Sequence, residues 1–281
     1  MDGVLLAITV AMLGWWFSTG LILILNHLPR HTHRWSFAGA TVLLLASLAL
    51  LPTVSQQATS ASAVAGFLLS LLIWGWLEMG YLMGFVTGPS SAPCPSDAGN
   101  RQRFFLAIAT SLYHELSVLV LAGLVILLSW EAPNQVATLT IVTLWLMRWS
   151  AKLNLFLGVR NYNGDWLPEH LRYLDSYTRR RAINPLLPLS LAVGTYVAWL
   201  LFINAATGTT GFDVVGNTLV GTLMALAVLE HICLALPLRE ALLWQWALPE
   251  ESGSDRAPGQ QKTHTISARQ GNTDIPAPTR M

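Results

Sequence analysis

The feature that most constrains this chain is a run of seven apolar stretches, at 4–25, 37–54, 64–86, 104–130, 136–157, 185–204 and 214–236. Each comes close to the roughly 20 residues needed to cross a hydrocarbon core of about 30 Å. Lipid offers no hydrogen-bond partner to a bare backbone, so a stretch of this kind must be helical or belong to a closed barrel. The stretches are about twice the length of a barrel strand and show no alternation of period two. Composition agrees: 53% of the 281 residues are hydrophobic and 11% are charged, too apolar for a water-soluble domain. The reading is an all-α integral membrane protein with about seven transmembrane helices. The first stretch lacks a basic flank and a small-x-small cleavage site, and is read as a mature helix.

Charge fixes an expected orientation. The connections at 55–63, 131–135 and 205–213 contain no Lys or Arg. The alternate connections hold Arg30, Arg34, Arg101, Arg103, Arg160, Arg172, Arg179, Arg180 and Arg181. By the positive-inside rule the N-terminus is expected in the periplasm and the C-terminus in the cytoplasm of a bacterial inner membrane. One membrane domain is expected over 1–248, ending in a surface helix with Trp244 and Trp246 at the headgroups. The Gly, Ser, Gln and Pro of 249–281 are expected to form a disordered cytoplasmic tail. Cys94 and Cys233 make no disulfide framework. His31 and His33, two apart in a basic loop, are read as facing anionic lipid headgroups. The Trp15-Trp16 pair is read as helix packing.

Ionisable groups inside apolar helices are costly, so each is a candidate for function. They are Glu78, Glu115, Arg148, Lys152 and Glu230, with His114 and His231. The simplest account is a buried charge network of the three acids and two bases that holds the bundle together. A neutral histidine is also a good axial ligand for a chlorophyll-type magnesium or haem iron, which makes His114 and His231 candidates for cofactor binding. A metal site is disfavoured. Glu and His are adjacent in both pairs, about 100° apart on a helix, whereas bundle metal sites use Glu-x-x-His on one face. A proton or quinone path stays open. Motifs of the common membrane hydrolases and ATPases are absent, and no catalytic residue is assigned.

The longest polar connection, 158–184, begins after Arg148 and Lys152 and is expected to carry a short amphipathic helix. Asp165 would cap it, Pro168 would lie in its first turn, and Leu167, Leu171 and Leu174 would form its apolar face. Arg172, Arg179, Arg180 and Arg181 are candidates for docking lipid headgroups or a partner protein. The run Lys152-Leu-Asn-Leu-Phe-Leu-Gly-Val-Arg-Asn161, with Leu167-Pro-Glu-His-Leu-Arg-Tyr-Leu174, Ser176-Tyr177 and Asn184-Pro-Leu-Leu-Pro188, resembles the PuhE family. Tyr113-His114-Glu115-Leu116 is similar to that family's His-Glu element. The likeness covers about 1–245 and is most specific over 148–188.

These are photosynthetic complex assembly proteins of purple phototrophic bacteria. The resemblance implies a membrane factor for reaction-centre or light-harvesting assembly, or a modulator of bacteriochlorophyll supply. It implies membrane lipids and assembly or bacteriochlorophyll-synthesis proteins as partners, no nucleic acid, and bacteriochlorophyll or a precursor as the cofactor to consider. It brings no catalytic residues, and enzymatic activity stays an open question that leans to no. The alternatives are a membrane enzyme of tetrapyrrole or quinone metabolism that uses the Glu and His residues, and a proton-coupled transporter.

Overall fold

The computed structural model describes residues 2–162, 167–181, 184–236 and Trp246. Its elements are α1 (Asp2–His27), α2 (Arg30–Ser55), α3 (Ser60–Leu82), α4 (Asn100–Ala109), α5 (Leu112–Leu128), α6 (Val136–Leu157), a 3₁₀ helix (Glu169–Tyr177), α7 (Leu186–Thr207) and α8 (Gly211–Ala235). No strand occurs among the described residues, only one isolated bridge between Val159 and Arg180. Asp165, the helix expected near Trp244 and the tail 249–281 lie outside the described residues, apart from Trp246. That indole packs on α1, with ring centroids 5.1 Å from Trp16 and 6.1 Å from Phe17.

Among the described residues, five helices are long and apolar enough to cross a membrane: α1, α2, α3, α7 and α8. The bent pair α4–α5 makes a sixth if it counts as one span. The expected span 136–157 exists as the 22-residue helix α6, but Arg148, Ser150, Lys152 and Asn154 in its second half lower its hydropathy. The expected span 104–130 is not one rod. It is broken at Thr110-Ser111, and its two parts meet at 61°.

Helices α3 and α8 form the centre, joined by Phe67, Leu71, Leu219, Val220 and Leu223. In its most apolar window α8 is 56% buried, against 17% for α1 and α7, which places those two at the periphery. Their outward side chains, such as Leu5, Phe17, Tyr196 and Trp199, are large and exposed. That pattern suits a lipid environment, where cohesion comes from close packing and hydrogen bonds rather than from removing apolar surface from water. Two helix starts are sequence-encoded capping boxes. Thr59 Oγ1 accepts from Ser62 N (3.1 Å) and Thr210 Oγ1 from Asp213 N (3.1 Å), and the N3 side chain reaches back each time.

Buried asparagines tie the two ends of the bundle. At one end Asn134 donates to the carbonyls of Ser62 (3.0 Å) and Val54 (3.3 Å) and accepts from Val136 N (3.1 Å). It thereby joins the end of α2, the start of α3 and the start of α6. At the other, Asn184 donates to Gly158 O (2.8 Å) and accepts from Leu186 N (3.0 Å) and Leu187 N (3.1 Å), which caps α7. An unpaired amide at either place would cost about 1–3 kcal/mol, so these side chains fix where the helices begin.

The connection after α6 is a knot. Gly158 turns the chain at φ 111, where a side chain would meet Arg179 O at 3.0 Å. Val159 N donates to Arg179 O and Arg181 N to Val159 O, both at 3.2 Å. The expected amphipathic helix is a 3₁₀ helix with Pro168 at its N-cap, rather than inside the first turn. Leu171 and Tyr177 are its buried side chains, as the 3–4 spacing of the leucines leads one to expect in part. Arg103, expected to be a surface cation of the basic side, is 5% exposed. It donates to the carbonyls of Tyr177 and Phe156 and lies 3.9 Å above the Phe156 ring, clamping α4 to the end of α6 and to the 3₁₀ helix.

Candidate functional site: a paired charge cluster beside a broken helix

The break between α4 and α5 builds the site. Segment Thr87-Gly88, which follows α3, lies flat against it. A side chain on Gly88 would overlap Ala109 O and come within 2.6 Å of Thr110 C and 2.8 Å of Ser111 N. Thr87 O accepts from His114 N at 2.9 Å, so one of the orphaned amides of the new helix start gains a partner deep in the bundle. The break puts His114 and Glu115 in the first turn of α5. A carboxylate there is favoured by the positive end of the helix dipole.

Arg148 and Lys152 are four apart on α6 and share a face. Arg148 Nη1 pairs with Glu78 Oε2 of α3 at 2.8 Å, and Lys152 Nζ pairs with Glu115 Oε1 of α5. The four charges therefore form two ion pairs that tie three helices together. Tyr81 lies between them, its ring 5.7 Å from the Arg148 guanidinium and 5.3 Å from Lys152 Nζ. It also packs on the His114 ring at 4.8 Å. The quadrupole of a tyrosine ring attracts both cations where water is scarce.

The expected sites divide. Glu78, Glu115, Arg148 and Lys152 come together, with His114 beside them. Glu230 does not join these two pairs: it is exposed on α8 while the neighbouring His231 is buried. His231 forms a separate strap. Its Nδ1 is 2.8 Å from Ala227 O and its Nε2 2.9 Å from Ser150 Oγ, which in turn donates to Ser190 Oγ at 2.8 Å. Both ring nitrogens are engaged, so a pigment metal would have to displace a bond within the bundle. His114 has no hydrogen-bond partner on either nitrogen, but it is 0% exposed and no macrocycle reaches it in this packing. Among the described residues, no three His, Cys, Asp or Glu side chains converge as metal ligands would.

Arg172, Arg180 and Arg181 are exposed, and Arg179 is half-buried with Nη2 bonded to Asn100 Oδ1 at 2.8 Å. Sequence reasoning passed over Tyr81, three residues after Glu78 and so on its face of α3. It passed over the burial of Arg103 as well, for which the sequence holds no signal.

Beside Lys152 a cleft of about 70 Å³ opens between α4, α5 and α6. Phe104, Ile108, Trp149 and Phe156 form its walls, and Ser111, Glu115 and Lys152 supply its polar part.

Fold and site together define a multi-pass helical membrane protein with a neutral, internally paired charge cluster at a helix break. The chain belongs to the DUF3623 family, described as a protein of unknown function, whose sequence profile matches residues 1–255. It is 35% identical over 255 residues to a Rhodobacter capsulatus protein described as an uncharacterized 30.4 kDa protein in the puhA 5' region. The alignment spans 88% of this chain and 93% of that protein. No solved structure matches the chain.

Proposed function

We propose that the chain is an inner-membrane factor of photosystem biogenesis, acting in reaction-centre or light-harvesting assembly or in bacteriochlorophyll delivery to it. The observation that carries this reading is the position of the Rhodobacter capsulatus relative beside puhA, a photosynthesis gene. The PuhE resemblance in 148–188 points the same way.

In this reading α6 and the bent α4–α5 pair are spans, giving seven, with a periplasmic N-terminus and a cytoplasmic C-terminus. The contacts of the connections support that arrangement. Those without Lys or Arg meet one another: Asn134 joins Ser55 and Ser62, and a side chain on Gly211 would touch Ser60 Oγ at 2.9 Å. The arginine-bearing ones also meet, through Tyr177 Oη to Ala92 O (2.9 Å) and Cys94 N to Ser176 Oγ (2.8 Å).

The exposed Arg180 and Arg181, on a backbone tied to Val159, and Arg172 on the 3₁₀ helix then present a basic face to an assembly or pigment-synthesis partner. The charge cluster holds the bundle.

The test is a near-infrared absorption spectrum of membranes from a phototrophic host lacking the gene. Reaction-centre or antenna bands should fall, return with the intact gene, and fail to return with Arg179, Arg180 and Arg181 all replaced by Ala. Unchanged spectra in the deletion strain would remove the reading.

A further inference from the structure

The cleft beside Lys152 has a chemistry that the assembly role does not use. Its walls are the rings of Phe104, Trp149 and Phe156 with Ile108 and Leu153, a surface for a flat apolar group. Its polar part is rich in donors without acceptors. Of the three ammonium hydrogens of Lys152 one is taken by Glu115. The Ser111 hydroxyl makes no side-chain bond among the described residues. Unused donors of this kind in a low-dielectric site are costly, and a ligand oxygen would relieve that cost.

Charge and size narrow the ligand. Arg148 and Lys152 are matched by Glu78 and Glu115, so the cluster is neutral. A carboxylate or phosphate would add an uncompensated charge inside the membrane, whereas a neutral carbonyl would not. A cleft of about 70 Å³ is also far below the roughly 300–1,000 Å³ of sites that enclose a drug-sized molecule. It cannot enclose a macrocycle, and a ring seated there stays partly open to the lipid.

We infer that this cleft binds the head of a lipid-soluble quinone. A carbonyl oxygen accepts from Lys152 and Ser111, the ring lies among Phe104, Trp149 and Phe156, and the tail stays in the lipid. Glu115, the acceptor at the same end, is placed to accept a hydrogen bond from the hydroxyl of the reduced form. The inference does not depend on the assembly role.

The test is equilibrium binding of decylubiquinone to the full chain in nanodiscs, with palmitate as an anionic competitor. Saturable one-to-one binding is expected. Ala107→Phe, which fills the cleft, should abolish it. Ser111→Ala and Trp149→Phe should each weaken it several-fold, while thermal unfolding of the empty protein stays within a few degrees of the parent. Partition without saturation, equal affinity in the filled variant, or displacement by palmitate at comparable concentration would each overturn the assignment.

Discussion

At the scale of single residues, the two ion pairs stand or fall by their partners. Glu115 is buried and Lys152 is the cation within reach, so Lys152→Met strands a carboxylate and Glu115→Gln strands an ammonium. Breaking a buried pair from one side costs on the order of 3–5 kcal/mol, whereas replacing both members by matched neutral groups is often close to neutral. Thermal unfolding in detergent should therefore show a large loss for either single variant and substantial recovery in Lys152→Met with Glu115→Gln. Additive losses would mean that the two residues do not act as a pair. The membership of this cluster was largely legible, because charge within an apolar run is conspicuous in any sequence. Which acid meets which base was not, since Lys152 and Glu115 lie 37 residues apart. The exposure of Glu230 has a related reason: depth along a helix can be counted, but the side it faces is set by neighbours that the sequence does not name. The engagement of His231 Nε2 is of the same kind, fixed by Ser150 on another helix.

At the scale of elements, the break between α4 and α5 is the feature that hydropathy hid. Both halves are apolar enough to read as one stretch, 104–130, and only its excess length over a bilayer crossing hinted that it does not run straight. The cause lies outside the stretch, in Thr87 and Gly88, which press on the break and supply an acceptor to His114 N. Gly88→Ala puts a methyl group into Ala109 O with backbone on all sides, so the segment must withdraw. Overpacking of this kind costs about 1–3 kcal/mol. The expected result is a lower unfolding temperature together with faster hydrogen exchange at His114. Gly99→Ala is the control, because a side chain there meets nothing within 4 Å. Equal behaviour of the two variants would show that Gly88 does not hold the break. The 3₁₀ helix was legible as an amphipathic segment from its leucines, but not in its type, because its bonds are completed by Arg103 reaching the Tyr177 carbonyl.

At the scale of the molecule, arginine distribution and tertiary contact agree on how the connections group. Counting Lys and Arg sorts them into a neutral set and a basic set. In the structure the neutral connections are tied through Asn134, while basic ones meet around Asn184, Tyr177 and Arg103. Neither asparagine stands out in the sequence, since Asn before a helix is an ordinary cap; burial against other helix ends, of α2 and α3 for Asn134 and of α6 for Asn184, is what makes each a joint. The grouping needs α6 to connect the two ends, although its polar second half keeps it out of the plainly apolar helices. Those polar residues are spent on Glu78, Glu115, Ser190 and His231, all within the protein, so lipid need not solvate them. A topology with α6 across the membrane makes a direct prediction. In a variant lacking Cys94 and Cys233, a cysteine at Gln57 should react with a membrane-impermeant maleimide added to intact spheroplasts. A cysteine at Arg172 should react only in inside-out vesicles. Both positions are exposed, so access to reagent and not burial decides the outcome. Labelling of both from one side would mean an even number of crossings between them, and α6 or the bent α4–α5 pair would then lie within the membrane without spanning it.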